Sequence, residues 1–114
     1  MQNMLTEVQE NIISDLIIDN GLIYNDVKDI FIYTNQNAYA RLTSIIDYCH
    51  TLFIECVYTK SNNKVDYVQH RIVDLLSAIV KYRSQYDYNT DEYVVFNSIF
   101  DKTSESFSEF MQTL

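Results

Sequence analysis

Proline is absent from this 114-residue sequence, and glycine occurs once, at Gly21. These two residues shape most tight turns, and folds built from many short strands need them at their connections. Their scarcity argues against sandwiches, barrels and other turn-rich architectures and leaves helices. The length falls within the usual range of one domain, so we expect residues 1–114 to form a single helical domain.

Positive charge is also scarce, because eight Lys and Arg stand against sixteen Asp and Glu, a formal net charge of −8. Contacts with nucleic-acid phosphates need clustered Lys and Arg, so we do not expect direct nucleic-acid binding. The acidic residues concentrate towards the two ends of the sequence. Residues 1–27 hold five acidic residues and no basic one, and residues 87–114 hold six and one lysine. Between them, residues 28–86 hold seven basic and five acidic residues.

Long apolar runs are missing too: no stretch approaches the roughly 18 residues of a membrane span, and no signal-peptide pattern is present. We therefore expect a soluble cytoplasmic protein with reduced cysteines and no membrane contact. The only cysteines, Cys49 and Cys56, fall on one predicted helix about 10 Å apart along its axis, too far to form a disulfide. Alanine is rare while Ile, Asn, Asp and Tyr abound, which suggests AT-rich coding in a phage, a virus or a low-GC bacterium; a phage or viral protein would act in the host cytoplasm.

Apolar residues repeat at steps of three and four along the chain, which is typical of amphipathic helices. The first predicted helix ends at Asp19 or Asn20, because Gly21 can close a helix C-terminus. Its apolar stripe is Met1, Leu5, Val8, Ile12, Leu16 and Ile17. Asn25 can cap a short second helix over residues 27–33. That run would also suit a strand, but a lone strand would have no partner.

Three longer helices follow. The third spans about residues 37–59 and places Ala38, Leu42, Ile45, Cys49, Leu52 and Cys56 on one stripe. After the loop at residues 60–64, with Asn63 as cap, the fourth runs to about residue 86. Asn89 and Glu92 resemble a capping box for a fifth helix over residues 91–113, bent at Thr103. The predicted fold is all-α: a small antiparallel bundle of four main helices plus one short helix.

Catalytic and metal chemistry find little support in the sequence. Asp47 with His50 and Asp66 with His70 have helical spacing, but Asp47 and His70 lie opposite the apolar stripes and should face water. Cys49 is on the core stripe, where a thiol packs as a small hydrophobe rather than acting as a nucleophile. We predict that the protein is not an enzyme and uses no cofactor or metal.

Tyrosine and acidic residues suggest where a partner would bind. Ten tyrosines are present, and several surround the turn before the fifth helix, interleaved with acids. In an up-and-down bundle the first and last helices can also lie side by side, which would bring Glu7, Glu10, Asp15, Asp101, Glu105 and Glu109 onto one surface. The predicted partner-binding residues are Tyr86, Asp87, Tyr88, Asp91, Glu92, Glu105 and Glu109. The alternative for the tyrosines is codon bias with ordinary half-buried side chains, and the alternative for the acids is a solvated face.

Three functions are compatible with this sequence. The leading hypothesis is a non-enzymatic protein-binding accessory factor, such as an inhibitor, adaptor or immunity-type protein, that acts through an acidic, tyrosine-rich surface. The second is an acidic nucleic-acid mimic that blocks a DNA- or RNA-binding protein. The third is a self-assembling structural subunit whose apolar C-terminal turns, around Phe107, Phe110 and Met111, dock onto a neighbouring copy.

Overall fold

The computed structural model describes residues 4–114, which fold into four α-helices joined by short connections. The helices are α1 (Glu7–Thr34), α2 (Gln36–Phe53), α3 (Val65–Arg83) and α4 (Asp91–Gln112). A π-helical turn, Ile54–Tyr58, continues α2. The described chain has no strand, only an isolated antiparallel bridge between Met4 and Lys64. The predicted all-α bundle is therefore confirmed.

The four helices run alternately up and down around one core. α1 packs against α2 and α4, and α3 closes the ring against α4 and, less closely, α2. Side-chain pairs show that α1 and α4 are antiparallel: Gln9 near the start of α1 bonds to Thr113, and Asn20 bonds to Thr103. The molecule is elongated, 49 × 23 × 17 Å. The C-termini of α1 and α3 and the N-termini of α2 and α4 meet at one end, here called the α3–α4 end.

The main difference from the predicted fold is that α1 continues through Gly21. Residues 27–33 are helical, but they belong to α1, so the prediction of a separate short helix is wrong. Gly21 has no positive φ, and a glycine inside a helix costs only about 1 kcal/mol relative to alanine. Burial of Leu16 before Gly21 and Phe31 after it outweighs that cost. Asn25, the predicted cap, is an exposed residue within α1.

The apolar stripe predicted for the first helix is confirmed at Leu5 and Leu16 but is shifted by one residue between them. Val8, predicted in the core, is 61% exposed, whereas Gln9 and Ile13 are buried. The shift arises because Leu5 precedes the helix and reaches the core from the extended segment. α1 begins after Thr6, whose hydroxyl accepts the Gln9 N–H in a capping box. Met1 of the predicted stripe lies outside the described residues.

At the start of two helices, the N-cap position is held by the residue that follows the predicted cap. Lys64 precedes α3, while the Asn63 side chain instead accepts the Leu5 N–H at 2.7 Å and ties down the N-terminal segment. Thr90, rather than Asn89, caps α4 by accepting the Tyr93 N–H at 3.2 Å. α3 ends at Arg83, three residues earlier than predicted.

The core stripes of the later helices match the sequence pattern. Every residue of the predicted α2 stripe is buried, and α3 buries Val65, Val68, Ile72, Leu75 and Ile79. α4 is one continuous helix, and Thr103 is fully buried within it. The Thr103 hydroxyl accepts a hydrogen bond from Asn20 across the core. The polar residue in the middle of the α4 stripe thus marks a contact with α1 rather than a break.

Candidate protein-binding surface

The turn between α3 and α4 presents only part of the predicted tyrosine and acid set to solvent. Tyr88 is 81% exposed, and Asp87 and Asp91 are exposed beside it. Tyr86 is half-buried: its ring stacks on Phe96 with centroids 5.8 Å apart. Glu92 is also half-buried. The residues of this turn that are well placed for a partner are therefore Asp87, Tyr88 and Asp91.

Contacts with arginine side chains hold several tyrosines against the bundle, where they are less available to a partner. Each of the three arginines lies near two aromatic rings, with the guanidinium carbon 4.3–5.9 Å from the ring centroids. The groups are Arg41 with Tyr82 and Tyr86, Arg71 with Tyr48 and Tyr67, and Arg83 with Tyr93 and Phe100. Within residues 4–114 no arginine forms an ion pair. These cation–π contacts hold five of the ten tyrosines in half-buried positions against the bundle.

Sequence spacing gave a partial signal for these arginine contacts. Tyr67 and Arg71 are four residues apart on α3, a distance at which helical side chains meet. The other partners lie on a different helix or in the turn between α3 and α4, as in the hydrogen bond that Arg41 Nη1 donates to the Tyr86 hydroxyl at 2.9 Å. Local spacing cannot reveal such partners.

α1 and α4 lie side by side, as predicted, and one lysine bridges them. Lys102 Nζ lies 3.2 Å from Asp19 and 3.7 Å from Glu105. The bond to Asp19 raises the pKa of Lys102 above its ordinary value. This bridge was not predicted, although it marks which sides of the two helices adjoin.

Helical spacing from this bridge identifies the other carboxylates on the same side. Asp15 and Asp26 are four and seven residues from Asp19, and Glu109 and Asp91 are seven and eleven from Lys102, so all share its side of the helices. We call this surface the acidic face. It comprises Asp15, Asp19, Asp26, Asp91, Glu105 and Glu109, with Lys102 as its cation.

Three acids predicted for this surface lie elsewhere. Glu7 is exposed at the start of α1, twelve residues before Asp19 and so about a third of a turn away from it around the helix. Glu10 turns towards the loop after α2, where Lys60 Nζ is 3.3 Å away and Asn63 donates a hydrogen bond at 3.2 Å. Asp101 adjoins Asn97 at 3.4 Å, one step around α4 from Lys102. The acidic face is therefore narrower than predicted but reaches the α3–α4 end through Asp91.

At that end of the acidic face is an open cavity that the sequence did not predict. Its volume is about 290 Å³, and Val27, Ile30, Phe31, Asp91, Val94 and Val95 line it. Ile30 is 57% and Val94 56% exposed, so the lining is accessible. We call this site the apolar pocket. It brings an apolar cavity and exposed aliphatic side chains next to the carboxylates.

A second cavity, of about 170 Å³, lies between α2 and α3. It forms where the small residues Ser44 and Ala78 face each other, between Tyr48 and Tyr82. Tyr48 donates a hydrogen bond to the Arg71 carbonyl oxygen at 2.8 Å, which fixes one wall. No charged side chain lines it.

The candidate nucleophile is buried, whereas the candidate metal ligands are exposed to solvent. Cys49 is fully buried, and burial raises the pKa of its thiol to about 11, which supports a packing role. Asp47 and His70 are exposed, as predicted, and His50 is exposed as well. Across residues 4–114, no group of three or more His, Cys, Asp or Glu side chains could hold a metal ion.

The fold and surface together define a small antiparallel four-helix bundle with one acidic side. None of the helices found between residues 4 and 114 combines the length and the apolar content needed to cross a bilayer. Comparison with protein-family models finds no match, and comparisons with curated proteins and with solved structures find none either.

Proposed function

We propose that this chain is a non-enzymatic protein-binding accessory factor, such as an inhibitor or adaptor, whose acidic face docks on a basic surface of a partner. The observation that carries the proposal is the segregation of charge in the fold. α1 and α4, which are neighbours, hold eleven acidic residues and two lysines. Residues 36–83, which form the other side, hold six basic and four acidic residues.

The arrangement of charges favours a partner over a purely solvating role. Carboxylates of neighbouring helices repel one another, and Lys102 is the only cation that bridges the acidic face within residues 4–114. A basic partner would relieve that repulsion and would be steered by the field of the whole face. The apolar pocket at its end supplies the desolvated contact from which interfaces draw much of their affinity.

The test is capture of the partner by the tagged protein from lysate of its native host, at low and moderate salt. The double variant Glu105→Lys/Glu109→Lys reverses the acidic face. The control Asp47→Lys/Asp74→Lys makes the same charge change at exposed positions of α2 and α3. We expect the partner to be lost with the first variant and retained with the control, at equal helical content by circular dichroism. Retention by both would contradict the proposal.

A nucleic-acid mimic is the second candidate function. Carboxylates on two adjacent antiparallel helices form ridges that can imitate a phosphate backbone. A mimic predicts that duplex DNA or RNA releases the captured partner and that reversal of Glu105 and Glu109 abolishes binding. Release by salt but not by nucleic acid would favour the accessory factor.

Self-assembly is the third candidate function. The C-terminal turns pack largely against the chain's own core, which leaves less apolar surface for docking onto a neighbouring copy. Phe110 is fully buried in the chain's own core, and Phe107 packs against it. Of the apolar residues in these turns, only Met111 and Leu114 stay exposed. Sedimentation that shows only monomer at high concentration would rule this candidate out.

A further inference from the structure

We infer that the apolar pocket is the anchor site for a partner segment in which a lysine or arginine flanks an apolar side chain. This inference rests on the proposed function and names the chemistry of the partner at the α3–α4 end. It depends on the pocket's size, its lining and the charge at its rim.

The size of the pocket suits a side chain. Its volume of about 290 Å³ is at the lower limit of cavities that hold whole small-molecule ligands, roughly 300 Å³. Five of the six lining residues are aliphatic or aromatic, which favours an apolar occupant. The exposed side chains of Ile30 and Val94 would lose contact with water when it binds, which stabilises the complex.

The charge at the rim selects a cation beside that side chain. Asp91 is the only charged residue in the lining. As the first residue of α4, Asp91 interacts favourably with the positive end of the helix dipole, but Thr90 is the cap that accepts the hydrogen bond from the Tyr93 N–H. Among residues 4–114 no lysine or arginine lies within 4.0 Å of Asp91. Asp26, four residues before Ile30, adds a second carboxylate on the same side of α1.

A second copy of the chain offers a poorer match. Its most exposed lysine-flanked aromatic residue is Tyr58, near Lys60 and Lys64 at the opposite end of the bundle. Lys60 is already paired with Glu10 at 3.3 Å. Two copies, each with a net charge of −8, also repel each other. The charge therefore favours a different, basic partner.

The first experiment uses two small probes that share an indole and differ in charge. Tryptamine carries an ammonium group, and indole-3-propionate carries a carboxylate. Each is titrated into the full chain while amide and methyl NMR signals are recorded. We expect shifts centred on Val27, Ile30 and Val94, and about two- to fivefold tighter binding of tryptamine, the range of one exposed ion pair.

Matched variants test the part played by the carboxylate. Asp91→Asn should remove the preference for tryptamine, and Asp101→Asn, also on α4 but outside the pocket, should leave it unchanged. Equal affinity of the wild type for both probes would overturn the inference. So would equal shifts at Ser44 and Ala78 in the second cavity, since these would show unselective partition. Shifts at Val94 and Tyr58 that grow with protein concentration, without a probe, would identify a second copy as the occupant and also overturn it.

Capture with a pocket variant separates this inference from the proposed function. Val94→Asp places a charge in the pocket at an exposed position, and Ile30→Asp is the alternative if that variant unfolds. We expect both pocket and face variants to lose the partner. A partner kept by Val94→Asp but lost by Glu105→Lys/Glu109→Lys would refute the anchor and leave the accessory function standing. A partner kept by both would refute the function itself.

Discussion

Asn20 donates a hydrogen bond from its side-chain amide to the Thr103 hydroxyl at 3.0 Å, and both residues are fully buried between α1 and α4. Any sliding of one helix along the other would leave these groups without partners, so the pair specifies the register of the bundle. The contact also has a cost, because the Asn20 side-chain oxygen is buried without a hydrogen-bond partner in the described part of the chain.

The first prediction concerns that pair. Thr103→Val should lower the free energy of unfolding by about 1–3 kcal/mol, because it leaves the Asn20 amide buried and unpaired. Adding Asn20→Leu should recover most of that loss, since both partners are then apolar. Urea unfolding of the two single variants and the double variant measures the coupling. Additive losses would show that the hydrogen bond does not link the two residues energetically.

The second prediction tests the continuity of α1. Gly21→Ala should raise the free energy of unfolding by about 0.4–1 kcal/mol, because alanine is the better helix former and a Cβ here would have no atom within 4 Å. Gly21→Pro should lower it by about 3 kcal/mol or more, because proline removes a hydrogen bond inside the helix. Thermal or urea unfolding decides. A stabilising proline would place a helix end at this position.

The third prediction is a pH dependence due to the cysteines. Burial raises the pKa of Cys49 and Cys56 to about 11 from an ordinary value of 9.0. The folded chain then holds protons that the unfolded chain releases, so this contribution to stability is complete below about pH 9 and falls as the pH rises towards 11.

The measurement compares urea unfolding of the wild type and a Cys49→Ala/Cys56→Ala variant from pH 7 to 10.5. The wild type should lose more stability over the alkaline part of the range, whatever the absolute difference at pH 7. Parallel curves would mean that the thiols titrate alike in both states. Slow alkylation by iodoacetamide until urea is added is an independent check.

The fourth prediction concerns Lys102. Lys102→Gln should lower the melting temperature at low ionic strength, because Asp19, Glu105 and their neighbours then repel one another without a cation. The difference should shrink in about 0.5 M NaCl, where charges are screened within a few ångströms. Lys81→Gln is the control: Lys81 is exposed on α3 and forms no ion pair within the described chain. A salt-independent effect would point to lost packing of the lysine stem.

Comparison of α1 and α2 shows how far the sequence predicts the fold. The α2 stripe is unbroken and apolar, and its six residues are all buried as predicted. In α1 the polar Asn20 precedes Gly21, and together they resemble a helix end. The suspected end at Asn20 and the suspected bend at Thr103 are two sides of one contact between residues 83 apart in sequence. No local pattern could have shown that they meet.

The same reasoning explains which parts of the binding surface were found. Glu105 and Glu109 were predicted from charge, and the structure puts them on the acidic face with Asp91. Tyr86 is only partly available to a partner, because Arg41 of α2 donates a hydrogen bond to its hydroxyl. The apolar pocket was missed because it exists only if α1 continues past Gly21 and brings Ile30 beside Val94.

The loop between α2 and α3 gives the molecule a natural place to be divided. It contains Lys60, which is exposed and has a φ of 58°. This is the only positive φ among the residues that the structure describes. A trypsin cut there would separate two helical hairpins, α1–α2 and α3–α4, whose contact still includes the Asn20–Thr103 bond. Each hairpin would carry one helix of the acidic face, so the acidic face would be complete only while the two hairpins stay associated.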